Sequence, residues 1–233
     1  MLPLRSKRAV HTATVTAVWE LTPRMVRVTA TAETFIGLEV RPAQDIELFL
    51  LNASGLPVKR RYTIRSYRPG QGEIDVDVFL HRHGLGSAWA STVQPGDTME
   101  FAGPRGKLEL RPADWHLFVG DEASVPAISA LTEALGEQAA TFVVAEVTDA
   151  ADELPMQAHS VRWLHRRDHP TGTTALVEPA VQDLPLPPGT GHAYLLGESR
   201  VVSRLRTLMP ALGVPHNNIF AKGYWNAPGR DRS

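Results

Sequence analysis

The hydrophobic pattern of this chain changes once, near Arg111 and Pro112. Before that point, segments such as Glu73 to Leu80 alternate apolar and polar residues with period two, which is typical of half-buried strands. After it, continuous apolar runs such as Thr141 to Val147 alternate with helical repeats, which is typical of a parallel sheet covered on both faces. The pattern therefore predicts two domains, residues 8–113 and 114–233.

The first half contains short runs of β-forming residues separated by turn signals, and no long helix is indicated. The predicted strands are Val10 to Leu21, Arg24 to Thr31, Asp45 to Leu51, Lys59 to Arg65, Glu73 to Leu80 and a short strand through Phe101. Many short strands with turns between them predict an antiparallel barrel or a sandwich. The pattern alone leaves both architectures open.

The second half alternates strands with helices. The predicted strands are Trp115 to Val119, Thr141 to Val147, Ser160 to Leu164, Ala193 to Leu196 and Asn218 to Ala221. One helix is predicted from an N-cap at Ser124 to a stop at Gly136, and another from Glu198 to Leu212, bent or ended near Pro210. The segment Asp183 to Gly191 is predicted as a loop. We expect a small α/β domain.

Composition excludes several classes of protein. The net charge of −1 argues against a nucleic-acid partner held by bulk charge. The chain has no cysteine, so disulfides, cysteine-ligated iron–sulfur clusters and thiol nucleophiles are excluded. Because no apolar run is long enough to span a bilayer, we expect no membrane insertion and a cytoplasmic location.

The first segment with chemical potential is the strand around Arg60, Tyr62, Thr63 and Ile64. Alternation places Arg60, Tyr62 and Ile64 on one face of this strand. A guanidinium can bind a pyrophosphate through two parallel hydrogen bonds, and a tyrosine ring can cover a flat heterocycle. An ordinary edge strand with solvated arginines is the alternative interpretation.

The second segment is the glycine-rich stretch from His81 to Ala90, directly after a strand. Its backbone N–H groups could face a phosphate. His81 and His83 could instead bind a metal, although no third ligand stands at a suitable spacing. The remaining alternative is a simple connection with a packed Trp89.

Two further segments follow strands of the α/β half. Gly120, Asp121 and Glu122 lead into the first helix, and Gly197 to Ser199 form an equivalent strand-to-helix turn. Ligands of open α/β sheets bind at such strand ends, so the two turns are candidate lips of one crevice. The acids also fit simple capping of a helix N-terminus.

Two aromatic or histidine-bearing stretches complete the survey. Lys222 to Trp225 places Tyr224 beside Trp225 after a strand, where the rings either plug the core or cover a ring system. His165 to His169 has the spacing of a metal-binding helix but lacks a helical pattern, so a solvated loop is predicted.

Taken in order, six of these motifs resemble the siderophore-interacting protein family, flavin-dependent ferric-siderophore reductases on the ferredoxin–NADP reductase fold. The resemblance runs from about Val10 to Trp225. Its motifs are Arg60-x-Tyr62-Thr63, His81 to Ala90 with Gly84, Gly86, Ser87 and Trp89, Ala102 to Gly106, Gly120-Asp121-Glu122 with Pro126 to Ile128, Gly197-Glu198, and Gly223-Tyr224-Trp225.

The resemblance implies an N-terminal antiparallel β-barrel that binds FAD and a C-terminal parallel-sheet α/β domain that receives NADPH or NADH. Arg60 would hold the FAD pyrophosphate, with Tyr62 and Thr63 along the isoalloxazine and the His81–Ala90 loop at the adenine-side phosphates. Gly120 to Ala123 and Gly197 to Ser199 would line the nicotinamide side. Lys59, Arg65 and Lys222 are the candidates for binding an anionic ferric siderophore, the expected substrate of a monomeric enzyme.

The sequence departs from the family pattern in three places. Ala123 stands where the family usually has Thr, which removes one flavin-side hydroxyl unless Ser124 replaces it. Asn226 stands where an Arg is common, and the tail after Trp225 is short. For the 2′-phosphate of NADPH, the candidate contacts are Arg166, Arg167 and Arg200.

Three functions are therefore carried forward. The first is an NAD(P)H-dependent ferric-siderophore reductase, in which the flavin carries the chemistry and no side chain is a nucleophile. The second is a related reductase whose acceptor is free flavin, a ferric chelate or another protein. The third is a flavin- or siderophore-binding module with little turnover.

Overall fold

The structure, a computed structural model, describes residues 9–81, 84–173 and 175–227. The chain divides between Glu109 and Leu110 into two compact units. The predicted boundary between residues 113 and 114 lies in the same connecting stretch. No helix of the described residues is long and apolar enough to cross a bilayer.

The first unit is a closed barrel of six strands in the order β1-β2-β5-β4-β3-β6, and every neighbouring pair is antiparallel. The strands are β1 (His11–Thr22), β2 (Met25–Thr31), β3 (Asp45–Leu51), β4 (Pro57–Arg68), β5 (Glu73–Phe79) and β6 (Thr98–Arg105). A short helix, α1 (Leu85–Ala90), follows β5. Closure of the sheet confirms the barrel and excludes the sandwich.

Both faces of strand β5 are buried. Ile74, Val76 and Val78 point into the core, as the alternation predicts. The alternating Asp75 and Asp77 are also buried, because arginines lie over them on the outer face. Burial opposes ionisation of Asp75, but hydrogen bonds from Arg68, Ser66 and Thr29 outweigh it and lower its pKa to about 2.

The second unit is a parallel sheet in the order β11-β10-β7-β8-β9. Its strands are β7 (Trp115–Asp121), β8 (Thr141–Val147), β9 (Ser160–His165), β10 (Gly191–Glu198) and β11 (Ile219–Trp225). The helices are α2 (Val125–Leu135), α3 (Val177–Gln182) and α4 (Ser199–Leu208). The predicted α/β architecture is confirmed, and β7, β8 and β10, which are mostly apolar, are buried along their whole length.

Some element bounds differ from the prediction. Gly191 begins β10 rather than ending a loop, and His165 ends β9 rather than lying in one. Helix α4 ends at Leu208, and Met209–Leu212 form a 3-10 turn around Pro210. Helix α3 was not predicted.

Gly191, at the start of β10, packs closely against the ring of Trp115. A Cβ there would lie 2.1 Å from two ring atoms of Trp115, which is buried in the core of the α/β unit. Gly191→Ala should therefore lower the free energy of unfolding of this unit by about 2 kcal/mol, as overpacking does. Urea unfolding followed by tryptophan fluorescence measures the loss.

Gly70→Ala is the matched control for Gly191→Ala. Gly70 has open space around its Cβ position and no left-handed backbone. We expect its stability to stay within about 0.5 kcal/mol of the parent protein. Equal stability of the two variants would contradict the packing described for Trp115.

Candidate functional site

Arg60 is an exposed residue of β4. Within the described residues, its hydrogen bond is donated by Nη1 to the carbonyl of Lys59, at 2.9 Å. The next residue, Arg61, is instead paired with Asp45, whose Oδ1 lies 2.9 Å from the Arg61 Nε. These two adjacent arginines therefore differ in their partners: Arg61 pairs with an acid, whereas the described bond of Arg60 goes to a backbone carbonyl.

Tyr62 packs its ring against the barrel core, with its centroid 6.4 Å from that of Trp89. Its hydroxyl lies over Gly86 of α1, where a Cβ would come within 1.7 Å of the hydroxyl oxygen. Burial raises the pKa of Tyr62 to about 12, against the opposing charge of Arg60. The phenol is therefore neutral at physiological pH, and Gly86 is required for its position.

Thr63 and Ile64, the other candidates on β4, are both buried. Ile64 belongs to the barrel core, and its backbone N–H donates to the carbonyl of Gln44 at 2.8 Å. Its side chain and its N–H are therefore both occupied within the barrel. A register shift between Ile64 and Ser66 interrupts the simple alternation at this point.

The glycine-rich loop closes on itself through Ser87. Its hydroxyl accepts a hydrogen bond from the His81 N–H at 3.0 Å and lies 3.4 Å from the carbonyl of Phe79. Gly84 packs against the imidazole of His81, which a Cβ at that position would meet at 2.2 Å. The side chains of His81 and Ser87 thus hold the described part of this loop together.

The alternative metal site at His81 cannot be placed, because His83 lies outside the described residues. Across residues 9–81, 84–173 and 175–227, no group of three potential metal ligands comes together.

The three candidate siderophore-binding residues have different surroundings. Lys59 pairs with Glu47, with Nζ 3.0 Å from Oε2, and lies over the ring of Phe49. Arg65 is largely buried, and its Nε lies 4.0 Å from Asp77 Oδ2. Lys222 holds its Nζ 4.7 Å from the ring centroid of Tyr224. The charges of Lys59 and Arg65 are thus balanced by acids that sequence reasoning had not paired with them.

The carboxyl ends of β7, β10 and β11 meet at one edge of the sheet, because these strands are neighbours and parallel. Gly120 and Asp121 end β7, while Gly197 and Glu198 end β10. Gly120, Asp121 and Glu198 line one crevice, together with Val119, Glu146, Gly172, Val177, Leu196, Val201 and Leu205. The structure therefore brings the two predicted turns together.

The acids of this edge are engaged inside the protein rather than in capping α2. Asp121 accepts hydrogen bonds from the N–H groups of Ala123 and Glu198 and from the indole of Trp225. Glu122 forms a buried ion pair with Arg166. Burial raises the pKa of Glu122, although the Arg166 charge opposes this.

Ser124 occupies the predicted N-cap position, but its side chain makes no cap hydrogen bond. Its hydroxyl is fully buried and is bonded to the backbone N–H and carbonyl of Asp121. The expectation that Ser124 supplies the hydroxyl missing at Ala123 is therefore wrong.

Glu198 and Ser199 organise the start of α4. Glu198 Oε2 accepts from the N–H groups of Arg200 and Val201, at 2.7 and 2.9 Å, so it caps the helix. The Ser199 hydroxyl donates to the carbonyl of Trp225 at 2.9 Å. A Cβ at Gly223 would lie 2.3 Å from that hydroxyl. Sequence reasoning missed the cap, because glutamate is an unusual N-cap residue.

Arg166 is excluded as a 2′-phosphate contact by its burial beside Glu122 and by its hydrogen bond to Thr148. Arg167 and Arg200 are exposed. Asn226, where the family commonly has an arginine, is exposed as well.

Comparison with protein families agrees with this arrangement in both units. Residues 113–228 match the model of the siderophore-interacting protein family, and residues 51–108 match that of the siderophore-interacting FAD-binding domain. The ferric vibriobactin reductase ViuB of Vibrio cholerae is 33% identical over 86% of this chain and 83% of its own length. This chain belongs to the siderophore-interacting protein family.

A further relative and a solved structure are also similar to this siderophore-interacting protein. The NADPH-dependent ferric-chelate reductase of Escherichia coli is 28% identical, over 73% of this chain and 67% of its own length. The crystal structure of a siderophore utilization protein from T. fusca superposes with a TM-score of 0.87 at 29% identity, covering 97% of this chain and 94% of that one. The family assigned from the six motifs is confirmed.

Proposed function

We propose that this siderophore-interacting protein binds FAD and uses electrons from NADPH or NADH to reduce ferric siderophores. The observation that carries the proposal is the pair of Arg60 and Tyr62 on β4, within the segment that matches an FAD-binding domain. The likeness to a relative named ferric vibriobactin reductase supports the proposed reaction.

The barrel residues fit FAD in charge and shape. The guanidinium of the exposed Arg60 is suited to the diphosphate, since arginine binds phosphate oxygens through two parallel N–H bonds. Tyr62 offers a fixed, neutral ring for the isoalloxazine, and Gly86 leaves room for its hydroxyl. Thr63 follows on the same strand.

A bound FAD would supply hydride acceptance and single-electron transfer, which is chemistry that no side chain of this protein supplies. The residues of the protein bind and orient the cofactor. Arg60 compensates the diphosphate charge, Tyr62 and Trp89 limit water on one side, and no nucleophile is needed. Fe(II) binds anionic oxygen ligands less strongly than Fe(III), so reduction releases iron from the siderophore.

The carboxyl edge of the α/β sheet is the proposed site for NAD(P)H, as expected for strand ends in this class of fold. Gly120 to Ala123 and Gly197 to Ser199 form its two lips. Arg167 and Arg200 are the exposed cations proposed for the 2′-phosphate. Since NADPH and NADH are available in the cytoplasm, we propose that the reaction takes place there. Every residue proposed for the site belongs to a single chain, as a monomeric enzyme requires.

A second candidate acceptor is a simple ferric chelate, which the likeness to the NADPH-dependent ferric-chelate reductase of Escherichia coli favours. The two functions differ in the acceptor alone. Lys59, Arg65 and Lys222 bear on this choice, because a siderophore contacts more of the protein than a small chelate does.

Steady-state oxidation of NADPH and NADH with FAD-loaded protein tests the proposal. Ferric siderophores of catecholate and hydroxamate type, ferric citrate and free FMN serve as acceptors, and a chromogenic Fe(II) chelator traps the product. We expect Fe(II) formation to be fastest with one siderophore type. Faster turnover with ferric citrate or FMN would favour the second candidate, and no turnover with any acceptor would contradict both.

A further inference from the structure

Asp121 joins three strand ends through one buried carboxylate. Its Oδ2 accepts hydrogen bonds from the indole Nε1 of Trp225 at 2.8 Å and from the N–H of Glu198 at 2.9 Å. Its Oδ1 accepts from the N–H of Ala123 at 3.1 Å. The side chain therefore links the end of β7 to the ends of β10 and β11, each of which contributes to the proposed nicotinamide edge.

Two glycines make this arrangement possible. Gly197 has a φ of +129°, and a Cβ there would lie 2.6 Å from Asp121 Oδ2. Gly172 has a φ of +75°, and a Cβ there would lie 3.2 Å from Cη2 of the Trp225 ring. The backbone at Gly197 thus approaches the carboxylate more closely than a residue with a side chain allows, and the positive φ at Gly172 favours glycine beside the indole.

Trp225 is held through its backbone as well as its ring. Its carbonyl accepts the hydroxyl hydrogen of Ser199, and it pairs with Glu198 across a register shift between β10 and β11. Asp121 is the acceptor for the one polar atom of the indole, so it determines how the ring is turned.

We propose that Asp121 is a positioning residue whose ionised carboxylate fixes the indole of Trp225 at the carboxyl edge of the sheet and releases it when protonated. The proposal rests on the proposed function only in taking the carboxyl edge, where Trp225 lies, as the NAD(P)H site. The ionised form offers acceptors to all three N–H donors. A proton on either oxygen removes an acceptor and weakens the remaining bonds, since charge-assisted hydrogen bonds are about twice as strong as neutral ones.

The surroundings of Asp121 place this change near neutral pH. Burial raises its pKa to about 7; the negative charge of Glu122 acts in the same direction, and the three N–H donors act against it. The ionisable groups around it are acids: Glu122 in the following turn, and Glu146 on β8 and Glu198 on β10, which line the same crevice. The cation Arg166 is paired with Glu122.

The indole N–H resonance of Trp225 reports the proposed bond directly. Of the five tryptophan indole signals in a 15N-labelled sample, the one missing in Trp225→Phe identifies Trp225. Between pH 5.5 and 8.5 this signal should move with a midpoint near 7 in the parent protein, with and without added FAD. In Asp121→Asn the titration should be absent, while Asp183→Asn, an exposed control, should retain it.

Two results would overturn the proposal. One is an indole signal that stays fixed over this pH range in the parent protein, which decides the matter even if Asp121→Asn does not fold. The other is an equal titration in Asp121→Asn. Because this readout needs neither NAD(P)H nor a ferric acceptor, a protein with a titrating indole and no reductase activity contradicts the proposed function alone.

The same link predicts a kinetic effect in an active enzyme. Asp121→Asn should raise the KM for NAD(P)H more than it lowers kcat and should flatten the pH dependence of kcat/KM around pH 7. A uniform loss of activity at every pH would indicate a merely structural role for Asp121.

Discussion

Replacing Arg60 with alanine should weaken FAD binding by roughly 10- to 100-fold, because a hydrogen bond to a charged group contributes about 1.5–3 kcal/mol. The barrel should stay folded, since the described bond of this guanidinium goes to the neighbouring Lys59 carbonyl. Titration of the apoprotein with FAD, followed by quenching of flavin fluorescence, measures the affinity. Circular dichroism checks the fold.

Arg61→Ala is the matched control. Arg61 is adjacent in sequence and has the same charge, but its guanidinium pairs with Asp45. We expect it to bind FAD as the parent protein does and to lose a little barrel stability. An equal loss of FAD affinity in both variants would show that the loss of one positive charge alone weakens binding. Unchanged affinity in Arg60→Ala would contradict the assigned role.

Acid should destabilise the α/β unit through His192. This residue stacks on Tyr194 with ring centroids 4.6 Å apart and lies beside His116 in the β7–β10 register. Burial lowers the pKa of His192 from 6.5 to about 4, with the charge of Arg111 acting in the same direction. Between these two pH values, His192 is therefore protonated in the unfolded chain and neutral in the folded unit.

The sign of the effect follows from this difference. The contribution of neutral His192 to stability is complete above about pH 6.5 and is lost as the pH falls towards 4. At about 1.4 kcal/mol for each unit of pKa difference, the full loss is about 3 kcal/mol. Asp121, whose pKa is raised, contributes with the opposite sign, so the histidine effect must be isolated by comparison.

His192→Phe provides that comparison, because it keeps an aromatic ring on Tyr194 and removes the titrating group. Urea unfolding of parent and variant at several pH values between 4 and 8 gives the difference in their free energies of unfolding. We expect the parent to lose about 3 kcal/mol relative to the variant between pH 7 and 4. A difference independent of pH would show that His192 is not held neutral by the fold.

Sequence pattern sufficed for the strands whose burial is uniform or strictly alternating. The predicted bounds of β3 (Asp45–Leu51) and β8 (Thr141–Val147) are those of the structure, since turn residues flank each run. Helix α3 (Val177–Gln182) gave no such signal, because its six residues make fewer than two turns and Pro179 interrupts them.

The partners of charged side chains are the main feature that sequence could not reveal. Arg65 and Asp77 lie on different strands of the barrel wall, and Glu122 and Arg166 meet only because β8 and β9 bring the chain back. Such pairs depend on strand order, which local pattern does not encode. The motifs therefore predict where the site lies, whereas the structure shows which of the arginines and acids near it are paired inside the protein.

The most direct test of the central claim is an anaerobic absorbance titration of the FAD-loaded protein. Addition of NADPH or NADH should bleach the oxidised-flavin bands, and a ferric siderophore should then restore them with stoichiometric release of Fe(II). Bands that persist with both nucleotides, or failure of the protein to retain FAD at all, would contradict the account.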